Sequence, residues 1–421
     1  MNLKLSESDS SKLAGESGPA VKMAMSILVR MAEIRGAKEF LSVVSSHIDS
    51  ALYIGDSTLD YAERFVALDA QVCVPTTLNV AGVDHHGWDR WAVPSDWAHK
   101  ARRQMLAYKN MGCKPTWTCA PYQTEERPGL GDQIAWGESS AIVFANSVLG
   151  ARSERYPDLL DICAAIAGRV PAIGLHLNEN RVGQVLVRLD SIDKKLLLSD
   201  EFYPVLGHYI GKLAGSRVVV FEEIAVGPSE DQLKALGAAM ASSGAVALFH
   251  WVGVTPEANT LEHALGGRTP ETIIKVALSD LLEARNELSS SSSDRLDMIV
   301  LGSPHFSLNE IKSLVPLTLG KKCHQSVRFL ITTGRGVKLL AEEIGLLETL
   351  LSFGAEVTVD TCILTTPMLP GAIKSIMTNS AKYAYYTPGL LNREVVFGSM
   401  EECVQSAVCG KVIKNDRLWL V

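Results

Sequence analysis

A chain of 421 residues, 47% hydrophobic and 21% charged, has the make-up of a globular protein and the length for two or three domains. Its formal net charge is -7, and nothing in the sequence resembles the basic stripe that nucleic acid requires. No apolar run approaches the roughly 18 residues of a membrane span, and the polar start MNLKLSESDSSKLAGESG lacks the apolar stretch of a secretory signal, so a cytoplasmic protein is expected.

Residues 5–35 predict two helices. Ser6 or Ser8 caps the first, Pro19 opens the second in its first turn, and Gly36 stops it. FLSVVSSHI (40–48) predicts a strand running into His47, YAERFVAL (61–68) a helix, and AQVCVPTTLNV (70–80) a strand running into a loop. That loop puts Thr76, Thr77 and Asn79 beyond a strand end, where α/β sheets bind ligands. The same residues also suit a turn that satisfies its own backbone. His85 and His86 are adjacent and have no partner at metal-ligand spacing, so a loop is preferred to a metal site. Residues 92–112 predict an amphipathic helix closed by Gly112.

The next stretch, Cys113 to Arg152, combines two cysteines, a Pro-Gly-rich turn, a carboxylate (Glu138) in an apolar run and the Asn146-Ser147 pair. Loops between apolar runs are how a rigid scaffold presents reactive groups. A helix is expected over 156–170 and a strand from Gly174, leaving His176 near a loop. VVVFEEI, a capped helix in SEDQLKALGAAMASSG, AVALFHWVG and a turn at Pro256 follow. Ser289–Ser293 is a five-serine run and the best linker candidate. Beyond it, LDMIVLG, VRFLITTG and AEVTVDTCILT predict strands alternating with helices, the last strand ending at Cys362. Such repetition means parallel sheet with crossover helices. The eight cysteines have no zinc-ribbon spacing, and Cys163, Cys403 and Cys409 read as small buried residues.

The segments VPTTLN (74–79), PTWTCAPYQ (115–123), AWGESSA (135–141), ANSVLGAR (145–152), GRVPAIGLHL (168–177), VGVTPEA (252–258), LGSPHFS (301–307), DTC (360–362), TNSAKYA (378–384) and YTPG (386–389) span nearly the whole chain. Together they resemble the catalytic (large) subunit of aconitase X, of the aconitase superfamily. The resemblance implies an aconitase-like, multi-domain α/β fold with parallel or mixed sheets flanked by helices. The expected division is an N-terminal α/β region over 1–288, in one or two subdomains, the serine linker 289–293, and a C-terminal α/β domain over 294–421.

The resemblance also implies an iron or iron-sulfur centre, with ligand positions at Cys119, 303 and Cys362. Position 303 is Ser303, where the family's pattern has cysteine, and a serine oxygen is a harder ligand than thiolate. The implied reaction is dehydration of a small hydroxy-carboxylate. The bacterial type acts on cis-3-hydroxy-L-proline and yields Δ1-pyrroline-2-carboxylate, and this chain's segments look closer to that type. The alternatives are a phosphomevalonate dehydratase large subunit, or a regulatory member that lost its cluster with the third cysteine. A separate small swivelling subunit is the implied partner.

Dehydration needs a base, an electrophile for the departing hydroxyl, and a clamp for the carboxylate. By likeness to the aconitase serine base, Ser380 is the candidate base, with Lys382 lowering its pKa. Its bland alternative is a helix N-cap. Thr76, Thr77 and Asn79, with Arg152, are candidates for the clamp. Asn146, Ser147 and His176 are further substrate-binding candidates. Glu138 is read either as an acid or as an anchor for a backbone amide, and His305 as an orienting group.

Overall fold

The computed structural model describes residues 3–420. Three parallel sheets carry the chain in order. The first has Ser45–Ile48 at its centre, flanked by Thr76–Leu78 and Ile134–Trp136. The second runs Phe249–Trp251, Val219–Phe221, Val185–Arg188, Thr272–Lys275. The third runs Ala355–Thr358, Arg328–Thr333, Met298–Phe306, Ser375–Thr378, Glu394–Phe397. Helices cover them because each crossover between parallel strands must pack back on the sheet. The α/β architecture expected from the sequence is therefore present.

Local signals placed several helices well. Ser6 caps Glu7–Ala14 in a reciprocal box with Asp9, and Pro19 and Gly36 bound the helix Pro19–Arg35. Ser229 and Gln232 form the same box at the start of Glu230–Ser243.

Other elements differ from expectation. The predicted strand over 40–48 is two strands in different sheets. Phe40–Ser42 pairs antiparallel with Arg169–Pro171, while Ser45–Ile48 joins the first sheet. The chain turns at Val43-Val44 because both flanking pieces find separate partners. In place of a strand from Gly174 there are two short 3-10 turns, Gly174–His176 and Asn178–Asn180, and the strand begins only at Val185. The strand before Cys362 ends at Thr358, since Asp360 takes a left-handed φ of 68°.

The serine run is tethered along the third sheet. Ser290 donates its N–H to the Val395 carbonyl, and Ser289 and Ser290 hydroxyls accept from Phe397 and Val395 amides. Cys163 and Cys403 are buried, as expected. Cys409 is exposed, a correction that follows from its place at the last turn of Met400–Cys409.

The first core is shared across sheets. Met298, Val300, Leu330 and Ile376 of the third sheet pack with Met25, Leu28 and Phe65 of the first region. That shared burial holds the loop ends of both sheets against each other, and the candidate site lies between them.

Candidate active site

The segment Lys114–Cys119 lies against the end of the Thr76–Leu78 strand. Lys114 N–H donates to Thr76 O at 2.8 Å and Thr118 N–H to Leu78 O at 3.0 Å. Cys119 Sγ then accepts from the His305 amide at 3.2 Å. The His305 ring ties the pieces together. Nδ1 meets Thr118 Oγ1 at 3.0 Å and Nε2 meets the Thr361 carbonyl at 3.2 Å. Burial holds this ring neutral, down to about 4. A carbonyl only accepts, so the single proton sits on Nε2 and Nδ1 accepts from Thr118. His305 thus fixes the Cys119 loop to the loop carrying Cys362.

Gly302 precedes Ser303 with a φ of 103°, and a Cβ there would run into the Thr332 carbonyl. The glycine lets the strand press close and turn Ser303 toward the site. Asp360 anchors the third loop. Both carboxylate oxygens are held by Arg335, at 2.5 and 2.8 Å, while its Oδ2 also accepts from His85 N and its carbonyl from Ala81 N.

Two short helices aim their starts at this point. Glu138 caps Ser139–Phe144 by accepting from Ala141 N at 2.6 Å, and Ser380 caps Ala381–Tyr386 by accepting from Tyr383 N at 3.1 Å. Glu138 is not the unpaired carboxylate its sequence context suggests. Its Oε1 accepts from Lys382 Nζ at 2.5 Å, and Ser140 Oγ accepts from the same ammonium at 2.7 Å. Burial works against the Lys382 charge, but Glu138 first, then the two thiols, hold its pKa above the usual lysine value. Ser380 Oγ donates to the Ser303 carbonyl at 2.5 Å. The N-cap that the sequence offered for Ser380 is therefore present.

The clamp candidates divide. Thr76 Oγ1 donates to Val74 O at 2.8 Å and Thr77 Oγ1 is taken by His47 Nδ1 at 2.8 Å, so both hydroxyls serve the backbone and the fold. Asn79 donates its Nδ2 to Asp49 Oδ1, while its own Oδ1 is buried without a partner. His47 is held neutral, near 3, by burial. Burial, with the charges of Glu138, Asp158 and Asp161, pushes Asp49 up to about 8. Asp49 was missed from the sequence. An acid just past the predicted strand FLSVVSSHI is the signal that marks it.

Asn146, Ser147, Arg152 and His176 form a cluster of their own at the junction of the first and second sheets. Asn146 holds Ser153 and Ala247 backbone groups at 2.8 to 2.9 Å. Ser147 Oγ accepts from Phe249 N at 2.9 Å. Arg152 faces Glu257 at 3.7 Å, which also binds Arg181. His176, neutral near 3 through burial, lies between Tyr156 OH and Gln133 Oε1, both at 2.6 Å. Asn146, Ser147 and His176 have their hydrogen bonds answered within the protein, while Arg152 Nε is buried without a partner.

A cavity of about 560 Å³ opens between the second and third sheets, with Ser303, Ser380 and Lys382 in its wall. Its other ionisable residues include Asp231, Glu310, Glu401 and Glu402. Its two lysines, Lys234 and Lys382, are both paired with carboxylates. Burial raises Glu310 to about 7 against the pull of Lys234.

The donor set accepts an iron centre. Cys119, pushed up to about 12 by burial, feels the charges of Glu138, Lys382 and Cys362, so the two sulfurs share one electrostatic neighbourhood. Burial raises Cys362 as well, and its Sγ lies 3.7 Å from Tyr383 OH. Two thiols that resist ionisation alone become good ligands when a cation offsets the thiolate charge. Among the described residues no three His, Cys, Asp or Glu side chains converge as a metal site. Thiolates are the usual ligands of iron–sulfur clusters, and the serine oxygen beside them is a harder donor that iron also takes.

Comparisons with known proteins identify the relatives of the chain. Family models described as the aconitase X first, second and third domains match residues 2–179, 183–286 and 296–409. The chain is 41% identical to a cis-3-hydroxy-L-proline dehydratase of Pseudomonas aeruginosa, over 99% of this chain and 72% of that one. It is 42% identical to one from Hypocrea jecorina, over 97% and 69%. A phosphomevalonate dehydratase large subunit of Methanosarcina mazei is 37% identical, over 97% and 98%. The crystal structure of Thermococcus kodakaraensis aconitase X in its holo-form superposes with a TM-score of 0.87 at 35% identity, covering 96% of this chain and all of that one.

Proposed function

The chain belongs to the aconitase X family and is a hydro-lyase, and we propose that it removes water from cis-3-hydroxy-L-proline to give Δ1-pyrroline-2-carboxylate. The observation that carries the substrate choice is the charge of the cavity beside Ser380. Its wall is rich in carboxylate, and both of its lysines are already paired. Such a wall attracts a ring ammonium and repels a phosphate dianion.

Ser380 Oγ removes the proton from the carbon bearing the carboxylate. The Lys382 ammonium, held charged by its Glu138 partner, stabilises the serine alkoxide that takes this proton. Glu138 holds that ammonium in place and caps its own helix with the same carboxylate. Cys119, Ser303 and Cys362 would hold the iron or iron-sulfur centre. When bound, it supplies a Lewis acid for the departing hydroxyl.

A separate small subunit with a swivelling domain completes the site and excludes water from it. The support is that relatives called large subunits match this chain over nearly their whole length. No helix among the described residues is long and apolar enough to cross a membrane, and all eight cysteines are free, which suits a reducing cytoplasm.

The test is a paired assay on the anaerobically purified chain with small subunit added, offering cis-3-hydroxy-L-proline and phosphomevalonate. Turnover of the proline alone is expected. Turnover of the phosphorylated compound alone overturns the substrate, and iron absent from both this chain and its Ser303→Cys variant overturns the cofactor.

A further inference from the structure

We propose that Asp49 is the acid whose proton leaves with the substrate hydroxyl, and that Asn79 positions this carboxyl and accepts a hydrogen bond from the same hydroxyl. The inference rests on the dehydratase reading and adds the group that reading lacks. Ser380 takes a proton, but nothing assigned so far gives one to the oxygen.

Asp49 sits just past the Ser45–Ile48 strand, at the ligand-binding end of the first sheet. Its neighbour across the sheet is Gly137, where a Cβ would stand 2.8 Å from Asp49 Cβ, and Glu138 follows directly. The line Asp49, Glu138, Lys382 therefore runs from the first sheet to the cap of Ser380. Asp49 Oδ1 is held by Asn79 Nδ2. Its Oδ2 takes no hydrogen bond from the described residues and is not sealed from solvent. Asn79 is 3% exposed, yet its Oδ1 has no partner. A buried acceptor without a donor is costly, and a donor on the ligand relieves it.

The charges facing Asp49 keep its proton on. Glu138 stands at the start of one neighbouring helix, Asp158 and Asp161 stand before and within another, and His47 and Tyr108 nearby are neutral. Asp161 itself accepts from the Asp49 and Ser50 amides and the Ser50 hydroxyl, which fixes the turn.

The step balances. The base takes the proton of the carbon bearing the carboxylate, and that C–H electron pair becomes the new C=C bond. The neighbouring C–O bond breaks with its pair on oxygen, which takes the Asp49 proton and leaves as water. The enamine becomes the cyclic imine by moving a proton from nitrogen to carbon, Ser380 releases to solvent the proton it took, and Asp49 regains one from solvent.

The experiment compares the wild-type complex with Asp49→Asn and Ser380→Ala, on cis-3-hydroxy-L-proline and on cis-3-fluoro-L-proline, whose fluoride needs no proton to leave. Asp49→Asn is expected to lower kcat on the hydroxy substrate about 100-fold or more, and to remove a wild-type fall in kcat above pH 8, while fluoride release stays within about threefold. Ser380→Ala is expected to lose both activities. Equal losses of Asp49→Asn on both substrates, or an unchanged alkaline limb, overturn the proposal.

Difference infrared spectra of the chain alone, from pH 6 to 9, give a second reading. A protonated-carboxyl band that titrates near pH 8 in wild type should vanish in Asp49→Asn, and its absence from wild type also overturns the proposal. A wild-type complex that shows the band but dehydrates no hydroxyproline faults the substrate reading instead.

Discussion

At the scale of single residues, the Glu138–Lys382 pair decides most. The side chains are 7% and 13% exposed, so neither charge is solvated enough to stand alone. Removing one partner of such a pair costs about 3–5 kcal/mol, because the other stays buried and uncompensated. Glu138→Gln should therefore lower the denaturant midpoint sharply. Adding Lys382→Met in the same chain should recover part of the loss, and a double-mutant cycle in urea measures the coupling. Additive losses would mean that the pair does not interact.

Asp49 behaves oppositely. Its folded pKa of about 8 lies above the unfolded 3.8, so the folded chain holds a proton that the unfolded chain has released. Stability from this group is full below pH 4, falls as pH rises to about 8, and is level beyond. With a tenfold change in proton affinity worth about 1.4 kcal/mol, Asp49→Asn should stabilise the chain by a few kcal/mol at pH 8 and by little at pH 4. Thermal melts at the two pH values check this. An acid kept at the expense of stability is what a working site shows. Neither property is visible in the local sequence: Glu138 stands among apolar residues there, and its partner is 244 positions away.

At the scale of elements, helix starts were legible and strand partners were not. Ser6 with Asp9 and Ser229 with Gln232 sit three residues apart, so the residues that start those helices are neighbours in the chain. The break between Phe40–Ser42 and Ser45–Ile48 depends on Arg169–Pro171 and Thr76–Leu78, which no local pattern names. The same limit hid the fate of Asn146 and Ser147. Their motif was clear, but their hydrogen bonds to Ala247 and Phe249, about a hundred residues on, were not.

Ser380 tests whether a cap is also a reactive group. As an N-cap alone, Ser380→Ala should cost about 1 kcal/mol. As the base, it should abolish turnover with that same small loss of stability and with iron content unchanged. A melt, an iron assay and a rate measured together separate the two roles. Unchanged turnover would leave Ser380 as a cap only.

At the scale of the whole molecule, the question is what holds the second and third sheets at a fixed spacing around the cavity. One tie is the Asp416–Trp419 turn. Trp419 is fully buried, donates its Nε1–H to Glu201 Oε1 at 2.7 Å, and lies under the Arg285 guanidinium at 5.2 Å. Arg285 reaches Glu402 of the third sheet's helix at 3.2 Å and Asp416 of the turn at 2.6 Å. Glu201 and Glu402 both line the cavity. One indole and one guanidinium thus join both cavity walls to the end of the chain. Trp419→Ala removes the largest side chain from this tie and should cost about 3–5 kcal/mol. The loss should be local: faster amide exchange in Phe202–Ala214 and Met400–Cys409, with the first sheet's protection unchanged. Uniformly faster exchange would mean that the turn supports the whole fold and does not set the width of the cavity.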